Sequence, residues 1–167
     1  MSTVKVRPAT PADAAGVAAV WEASARAGFE FLLPPGHPFP TPDGARFAAL
    51  LTEARVRVLV ADAGGELLGH STFGTSRDAD VAPEVGEVRS FFVSPATWRQ
   101  GVGGKLMGAA LAGLADLGFE HATLWSFEAN ERANAFYESQ GFERDGATRT
   151  EEVWANIPQV RYRRTLP

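Results

Sequence analysis

The stretch FFVSPATWRQGVGGKLM, at residues 91–107, constrains this chain more than any other. It opens with an apolar run of strand-forming residues that ends at Pro95, because proline cannot continue a β-ladder. Three glycines follow within four residues, at Gly101, Gly103 and Gly104. Apolar residues then recur at the spacing of one helix face. The stretch therefore predicts a strand, a turn, a glycine-rich bend and a helix, in that order.

The glycine-rich bend has the chemistry of an anion site. Glycines at a helix N-terminus let backbone amides approach a phosphate closely, and Arg99 and Lys105 add positive charge. Two better-known phosphate loops do not fit. A P-loop would require glycine at position 99 and Ser or Thr at position 106, and a dinucleotide fingerprint would require glycine at position 106. Leu106 excludes both of these phosphate loops. The alternative to an anion site is a simple tight turn before a helix.

Composition limits the remaining function classes. A length of 167 residues predicts one domain spanning residues 1–167, and 45% hydrophobic with 22% charged residues is typical of a globular protein. A net charge of −4 argues against a broad nucleic-acid surface. The chain has no cysteine, and its three histidines show no ligand spacing, so we expect no metal site. Without an apolar leader or membrane-spanning run, we expect a cytoplasmic protein with no membrane partner.

Hydrophobic periodicity and turn signals predict a mixed α/β fold. Gly64-Gly65 marks a hairpin between two strands, Asn130 is a helix cap, and Gly141 ends the helix that follows. The predicted strands cover residues 4–7, 57–62, 67–74, 84–93, 121–127, 142–144 and 160–165. The predicted helices cover residues 10–28, 42–54, 101–118 and 130–140.

Three segments, in this order and spacing, resemble the GNAT acetyltransferase superfamily. EVRSFFVSP at residues 87–95 is similar to the central strand of that family, and RQGVGG at residues 99–104 to its pyrophosphate loop. NERA at residues 130–133, followed by FYE at 136–138 and GF at 141–142, is similar to its last helix. The resemblance implies a mostly antiparallel sheet of six to seven strands, splayed between strands 4 and 5 near Val93 and Trp125. About four helices would flank it.

The resemblance also implies an acetyl-CoA-dependent N-acetyltransferase, an acyltransferase transferring groups other than aminoacyl groups. Its acceptor would be a primary amine that attacks directly in a ternary complex: a small amine, an amino-acid derivative or a peptide N-terminus. The pantetheine arm would pair with the backbone of residues 91–93 like an added strand, and Asn130 would fix it. The implied cofactor-binding residues are Phe91, Phe92, Val93, Arg99, Gln100, Gly101, Val102, Gly103, Gly104, Lys105, Asn130, Phe136 and Tyr137. A non-catalytic acyl-CoA-binding module is the alternative, and a homodimer is left open.

Trp98 departs from the family pattern. The family usually has Gln or Arg three residues before the first loop glycine, and this chain has Trp98 there. Because backbone amides do most of the phosphate binding, we expect acetyl-CoA to bind with altered nucleotide contacts. Packing of Trp98 against the adenine and packing against the loop are both open.

Two residues are candidates for acid–base chemistry. Tyr137 would protonate the departing thiolate; a half-buried core aromatic is the alternative. Glu87 would accept the proton of the amine, and strand alternation places it on the face of Phe91 and Val93 unless a bulge intervenes. A structural carboxylate paired with Arg89 or Arg161 is the alternative for Glu87. His37, in a proline-rich loop, is a second candidate base.

The resemblance also implies that two loops select the acceptor, at residues 29–43 and 145–160. Their aromatic residues predict an amine carried on a partly apolar body, although the same rings would also serve to close the core. These are Phe29, Phe31, Phe39 and Trp154. Trp125 stands five residues before Asn130, where relatives that acetylate ribosomal-protein N-termini carry a catalytic Glu. That mechanism therefore does not transfer, and we expect Trp125 to form an apolar wall.

Overall fold

A computed structural model describes residues 3–167, and its centre is a seven-stranded sheet in the order β1-β2-β3-β4-β5-β7-β6. The strands are β1 (Lys5–Pro8), β2 (Val56–Ala63), β3 (Glu66–Thr75), β4 (Val85–Val93), β5 (His121–Phe127), β6 (Glu143–Arg149) and β7 (Gln159–Thr165). The helices are α1 (Ala14–Gly28), α2 (Gly44–Leu50), α3 (Val102–Asp116) and α4 (Glu131–Ser139). The predicted mixed α/β architecture is confirmed.

Local signals set most of the element boundaries. The β2–β3 hairpin turns at Gly64 and Gly65, whose φ angles of 69° and 103° belong to the left-handed region that glycine adopts without strain. Helix α2 is shorter than predicted. It begins after Asp43, whose Oδ1 accepts a hydrogen bond from the Ala45 amide at 2.9 Å, and its last residue is Leu50.

Helix α3 packs its apolar face onto the sheet and thereby fixes the loop that precedes it. Leu106, Met107, Ala110 and Leu114 are fully buried on that face. Gly113 lets the helix lie directly over Phe73, since a Cβ atom at Gly113 would stand 2.6 Å from the ring. The start of α3 is therefore held at the end of β4, where the glycine-rich loop lies.

Strands β4 and β5 form the parallel pair of the sheet, and they separate early. Their pairing covers only Val85–Glu87 with His121–Thr123. The splay is confirmed between these two strands, but it begins at Glu87 and Thr123, before Val93 and Trp125. Beyond that point the facing edges of β4 and β5 leave backbone groups available to a ligand.

A bulge in β4 changes which residues of the strand share a face of the sheet. Thr72 pairs with Ser90 but Phe73 pairs with Val88, so Arg89 is an extra residue. Phe91 lies on the face that α3 covers, whereas Glu87, opposite Gly74, lies on the other face. The prediction that Glu87 shares a face with Phe91 was wrong, because one inserted residue shifts the alternation by one.

Candidate active site

A cleft of about 1470 Å³ passes through the wedge between β4 and β5. One half is lined by the end of β4, the loop that follows it and the start of α4. The other half is lined by α1, α2 and residues 149–159. These two halves are called here the loop side and the acceptor side.

On the loop side, the backbone turns sharply between β4 and α3. Arg99 has a φ of 64°, which is uncommon for a residue other than glycine, and Gly101 has a φ of 87°. The Lys105 amide donates to the Gly101 carbonyl at 3.1 Å, so the amides of residues 102–104 precede the helical hydrogen-bond ladder. A Cβ atom at Gly101 or Gly104 would meet nothing within 4 Å. The loop thus presents amides and open space, which fits a pyrophosphate.

Ten of the thirteen predicted cofactor-binding residues line the cleft, and three do not. The side-chain Nε2 of Gln100 donates to the Ala96 carbonyl at 3.1 Å, and Val102 packs in the core. The Lys105 ammonium donates to the Val4 carbonyl, so its charge is directed toward the N-terminal segment. The residues that line the cleft are Phe91, Phe92, Val93, Arg99, Gly101, Gly103, Gly104, Asn130, Phe136 and Tyr137.

Trp98 packs against the loop. Its Nε1 donates to the Val93 carbonyl at 2.9 Å, and the Arg132 guanidinium carbon lies 3.5 Å from the centre of its ring. Partial burial and the nearby Arg99 charge lower the pKa of Arg132. Within residues 3–167, Arg132 makes no ion pair with a carboxylate. Two guanidinium groups, those of Arg99 and Arg132, therefore lie beside the glycine-rich loop, where they would attract an anion. Of these two residues, sequence analysis had identified only Arg99.

Asn130 begins α4 as predicted, and a second asparagine anchors the helix. Asn130 is buried, and its Oδ1 accepts from the Ala133 amide at 3.4 Å. One turn later, Asn134 accepts from the Ser126 hydroxyl at 2.6 Å and donates to the Glu128 carbonyl at 3.0 Å. These bonds tie α4 to the end of β5, and they hold one wall of the wedge in place.

Tyr137 lies in the wedge among other aromatic rings. Its neighbours are Phe91, Phe136, Phe142 and Tyr162, with ring centres 5.7–6.4 Å away. Burial raises the pKa of Tyr137 to about 12, and the Arg132 charge opposes that rise. The phenol is therefore protonated at neutral pH. The described part of the chain supplies no hydrogen-bond partner for its hydroxyl, which leaves the proton free for a ligand.

Glu87 is only 1% exposed, and its partner is Arg77. The Arg77 amide and Nη2 each donate to the carboxylate at 2.9 Å. The two arginines considered from sequence have other partners: Arg89 binds Glu53 at 3.1 Å, and Arg161 binds Asp145 at 2.6 Å. Arg77 lies in the loop after β3, so the pair fastens that loop to the point where the wedge opens.

Arg161 is the centre of an ion-pair network that holds Trp125 on the acceptor side. This buried side chain also binds Asp80 at 2.8 Å and Asp78 at 3.2 Å, and these carboxylates raise its pKa above the ordinary value. Asp78 in turn accepts from the Trp125 Nε1 at 2.9 Å. The network fixes the Trp125 ring, which lines the cleft as expected.

The two predicted acceptor loops meet in space. The His37 Nε2 lies 2.9 Å from the Val153 carbonyl, so His37 joins the loops and is not among the residues that line the cleft. Phe29 packs against Trp154 with ring centres 5.3 Å apart, and against Phe39 at 6.2 Å. Phe31 is 70% exposed and lies outside this cluster. The position of His37 favours a structural role for it over that of a base.

His70, on β3, is a buried polar residue that sequence analysis did not single out for a role in the site. It lines the cleft opposite Phe92, and its Nε2 has no hydrogen-bond partner among residues 3–167. Burial lowers the pKa of His70 to about 4, so the imidazole is neutral at physiological pH. A neutral imidazole with so low a pKa is a poor proton acceptor for an alkylamine.

No group of three or more acidic or histidine side chains is close enough to hold a metal ion in the part of the chain that the structure describes. None of the helices in residues 3–167 is both long enough and apolar enough to cross a membrane.

Comparisons with known proteins identify the class to which this fold and cleft belong. A sequence model described as the Acetyltransferase (GNAT) family matches residues 21–142. The chain belongs to this family. A relative named as a probable N-acetyltransferase of Mycobacterium tuberculosis is 34% identical over 109 residues, which cover 62% of this chain and 58% of that protein.

Solved structures agree on the fold. An N-acetyltransferase from Staphylococcus aureus superimposes with a TM-score of 0.78 at 18% identity, covering 99% of this chain and all (100%) of that one. An N-acetyltransferase from Thermoplasma acidophilum, solved in complex with coenzyme A, gives 0.74 at 12% identity and covers 98% and 99%. At these identities the likeness shows the fold alone.

Proposed function

We propose that this protein is an acetyl-CoA-dependent N-acetyltransferase that acts on a primary amine by direct attack in a ternary complex. The observation that carries the proposal is the wedge itself. Its loop side gathers the free amides of the glycine-rich loop, Asn130 and Tyr137. Glu87 lies where the wedge opens, on the opposite face of β4, and it is not among the residues that line the cleft.

The loop side has the residues to hold acetyl-CoA, which when bound supplies the acetyl group as a thioester. The amides of residues 102–104 and the guanidinium groups of Arg99 and Arg132 would bind the pyrophosphate. The exposed edge of β4 would pair with the pantetheine amides as an added strand. A backbone N–H on that edge would also stabilise negative charge on the carbonyl oxygen during transfer.

Tyr137 is the proposed proton donor to the departing sulfur. With a pKa of about 12 its phenol is protonated, but it is a weaker acid than a thiol of pKa about 8.5. Tyr137 would therefore act first as a hydrogen-bond donor to the sulfur. The Arg132 charge, which lowers the pKa of Tyr137, favours the transfer of the proton itself.

Glu87 is the proposed proton acceptor for the amine, directly or through water. The bulge at Arg89 places it on the same face of β4 as Ser90 and Phe92, which line the cleft. Glu87 itself is 1% exposed and does not line the cleft, so a proton would reach it through water. The ion pair with Arg77 gives it a structural role as well, because both carboxylate oxygens accept hydrogen bonds from that residue. The pH dependence of a Glu87 variant separates these two roles and is developed below.

The first experiment is a calorimetric titration with acetyl-CoA and with CoA, followed by a screen of primary amines that monitors thiol release. Micromolar binding and amine-dependent thiol release are expected. Binding without turnover across a broad amine panel would instead indicate a non-catalytic acyl-CoA-binding module. Failure to bind either compound would refute the assignment of the loop.

A further inference from the structure

The acceptor side of the cleft has an apolar wall built from segments far apart in sequence. Trp154 contributes a ring from the loop before β7 and Phe127 one from the end of β5, with ring centres 5.8 Å apart. Phe29 joins both, at 5.3 Å and 5.0 Å. Trp21, on α1, extends the wall toward Phe92. These rings line the cleft, whereas Phe39 packs behind Phe29 and is not among the lining residues.

Two carboxylates on the same side are already paired with arginines. Glu53 binds Arg89 at 3.1 Å, and Glu151 binds Arg149 at 3.2 Å. Glu151 also accepts from the Gln159 amide at 2.9 Å. At the rim, Asp43 uses its Oδ1 to cap α2. Among the described residues, Glu53 and Glu151 are thus held by arginines, whereas Asp43 is capped only by backbone amides and makes no ion pair at the exposed rim.

This pairing bears on the kind of amine that fits. A second ammonium group beside the rings of the wall would lose water and would find Glu53 and Glu151 already paired, which is costly for a charge. It would also lie near the arginines that hold those carboxylates, and like charges repel. An apolar body, in contrast, would cover the rings of the wall and remove apolar surface from water.

We propose that the acceptor is a monoamine carried on an aromatic or branched apolar body, and that polyamines and lysine-rich segments are poor acceptors. The inference rests on the proposed function, since it names the class of substrate for the same reaction. The inference adds to the proposed function that amines with a second cationic centre are poor acceptors.

The test compares three primary alkylamines: 2-phenylethylamine, ethylamine and putrescine. Thiol release from acetyl-CoA should give a kcat/KM for 2-phenylethylamine at least about tenfold above those for the other two. Equal or faster transfer to putrescine would overturn the inference and leave the proposed function standing. No transfer to any amine, including a broader panel, would refute the proposed function and the inference with it.

Two variants examine the wall and the charge pairing separately. Trp154→Ala should raise KM for 2-phenylethylamine about tenfold and leave ethylamine within about twofold. Phe31→Ala removes a ring that is 70% exposed and outside the wall, so it is the control and should change neither value. Because Phe31 borders a smaller pocket with Asn130 and Arg132, all proteins are compared at saturating acetyl-CoA.

Arg149→Gln tests the charges, because it frees Glu151 to pair with a second ammonium group. Its kcat/KM for putrescine relative to ethylamine should rise at least threefold. An unchanged ratio in this variant, or an equal loss for all three amines with Trp154→Ala, would count against the inference.

Discussion

Gly104→Asp separates the folding of the glycine-rich loop from its binding of phosphate. Gly104 lies in the first turn of α3, and a Cβ atom there would meet nothing within 4 Å. An aspartate near a helix N-terminus is favoured by about 0.3–1 kcal/mol through the helix dipole. Replacing a helical glycine adds a few tenths of a kcal/mol more. We therefore expect the variant to be as stable as the original protein or slightly more stable.

Binding should respond in the opposite direction. A carboxylate about 4 Å from one phosphate charge costs about 4 kcal/mol at an effective dielectric constant of 20. Since every 1.4 kcal/mol is a factor of about ten in affinity, the dissociation constant for acetyl-CoA should rise by about two to three orders of magnitude after screening by salt. Calorimetric titration measures the affinity, and urea denaturation measures the stability.

Two control variants test whether the loss of affinity comes from a negative charge at the loop itself. Gly108→Asp adds the same charge one turn later, at an exposed position where a Cβ atom also meets nothing within 4 Å. It should bind acetyl-CoA within about twofold of the original protein. Gly104→Ala adds the Cβ atom without charge and should bind better than Gly104→Asp. A stable Gly104→Asp protein with unchanged affinity would refute the assignment of the loop as the pyrophosphate site.

The remaining predictions concern three titratable side chains. Tyr137→Phe should lower kcat about 10²-fold with acetyl-CoA affinity nearly unchanged; normal turnover would reduce Tyr137 to a packing role. Glu87→Gln should cost most at low pH, where the amine is mostly protonated, and less as pH rises; a flat ratio of kcat/KM across pH would make Glu87 purely structural. For His70, the folded pKa of about 4 lies below the unfolded value of about 6.5, so stability is complete above pH 6.5 and is lost as pH falls toward 4. Urea denaturation at pH 7 and pH 4.5 should show a loss of about 2–3 kcal/mol that His70→Phe largely removes; an equal loss in both proteins would contradict the buried neutral imidazole.

Sequence analysis predicted those parts of the fold that depend on short-range signals. The double glycine at 64–65 marks its hairpin because its φ angles are positive, and Asn130 caps α4 through its own side chain. The glycine-rich loop was identifiable because its glycines, its charges and the helix after it are contiguous. In each case the deciding atoms lie within a few residues of one another.

Side-chain partners brought together by tertiary packing could not be predicted in this way. The structural alternative for Glu87 named Arg89 or Arg161 as its partner, but Arg77 reaches it because the loop after β3 folds back over β4. Arg132 stacks on Trp98 across the mouth of the wedge, and no spacing rule relates these two positions. Such partners depend on how helices and loops dock, which local propensity does not determine.

The bulge at Arg89 links this limit of prediction to function. Without it, Glu87, Phe91 and Val93 would share one face of β4, and the carboxylate would lie under α3 in the core. With it, Phe91 and Val93 lie on the face that α3 covers, and Glu87 lies on the opposite face in its ion pair with Arg77. The Arg89 side chain also holds the bulge in place, since its Nη2 donates to the Thr75 carbonyl at 2.8 Å. An inserted residue changes which positions of a strand share a face, and alternation along the sequence alone cannot reveal it.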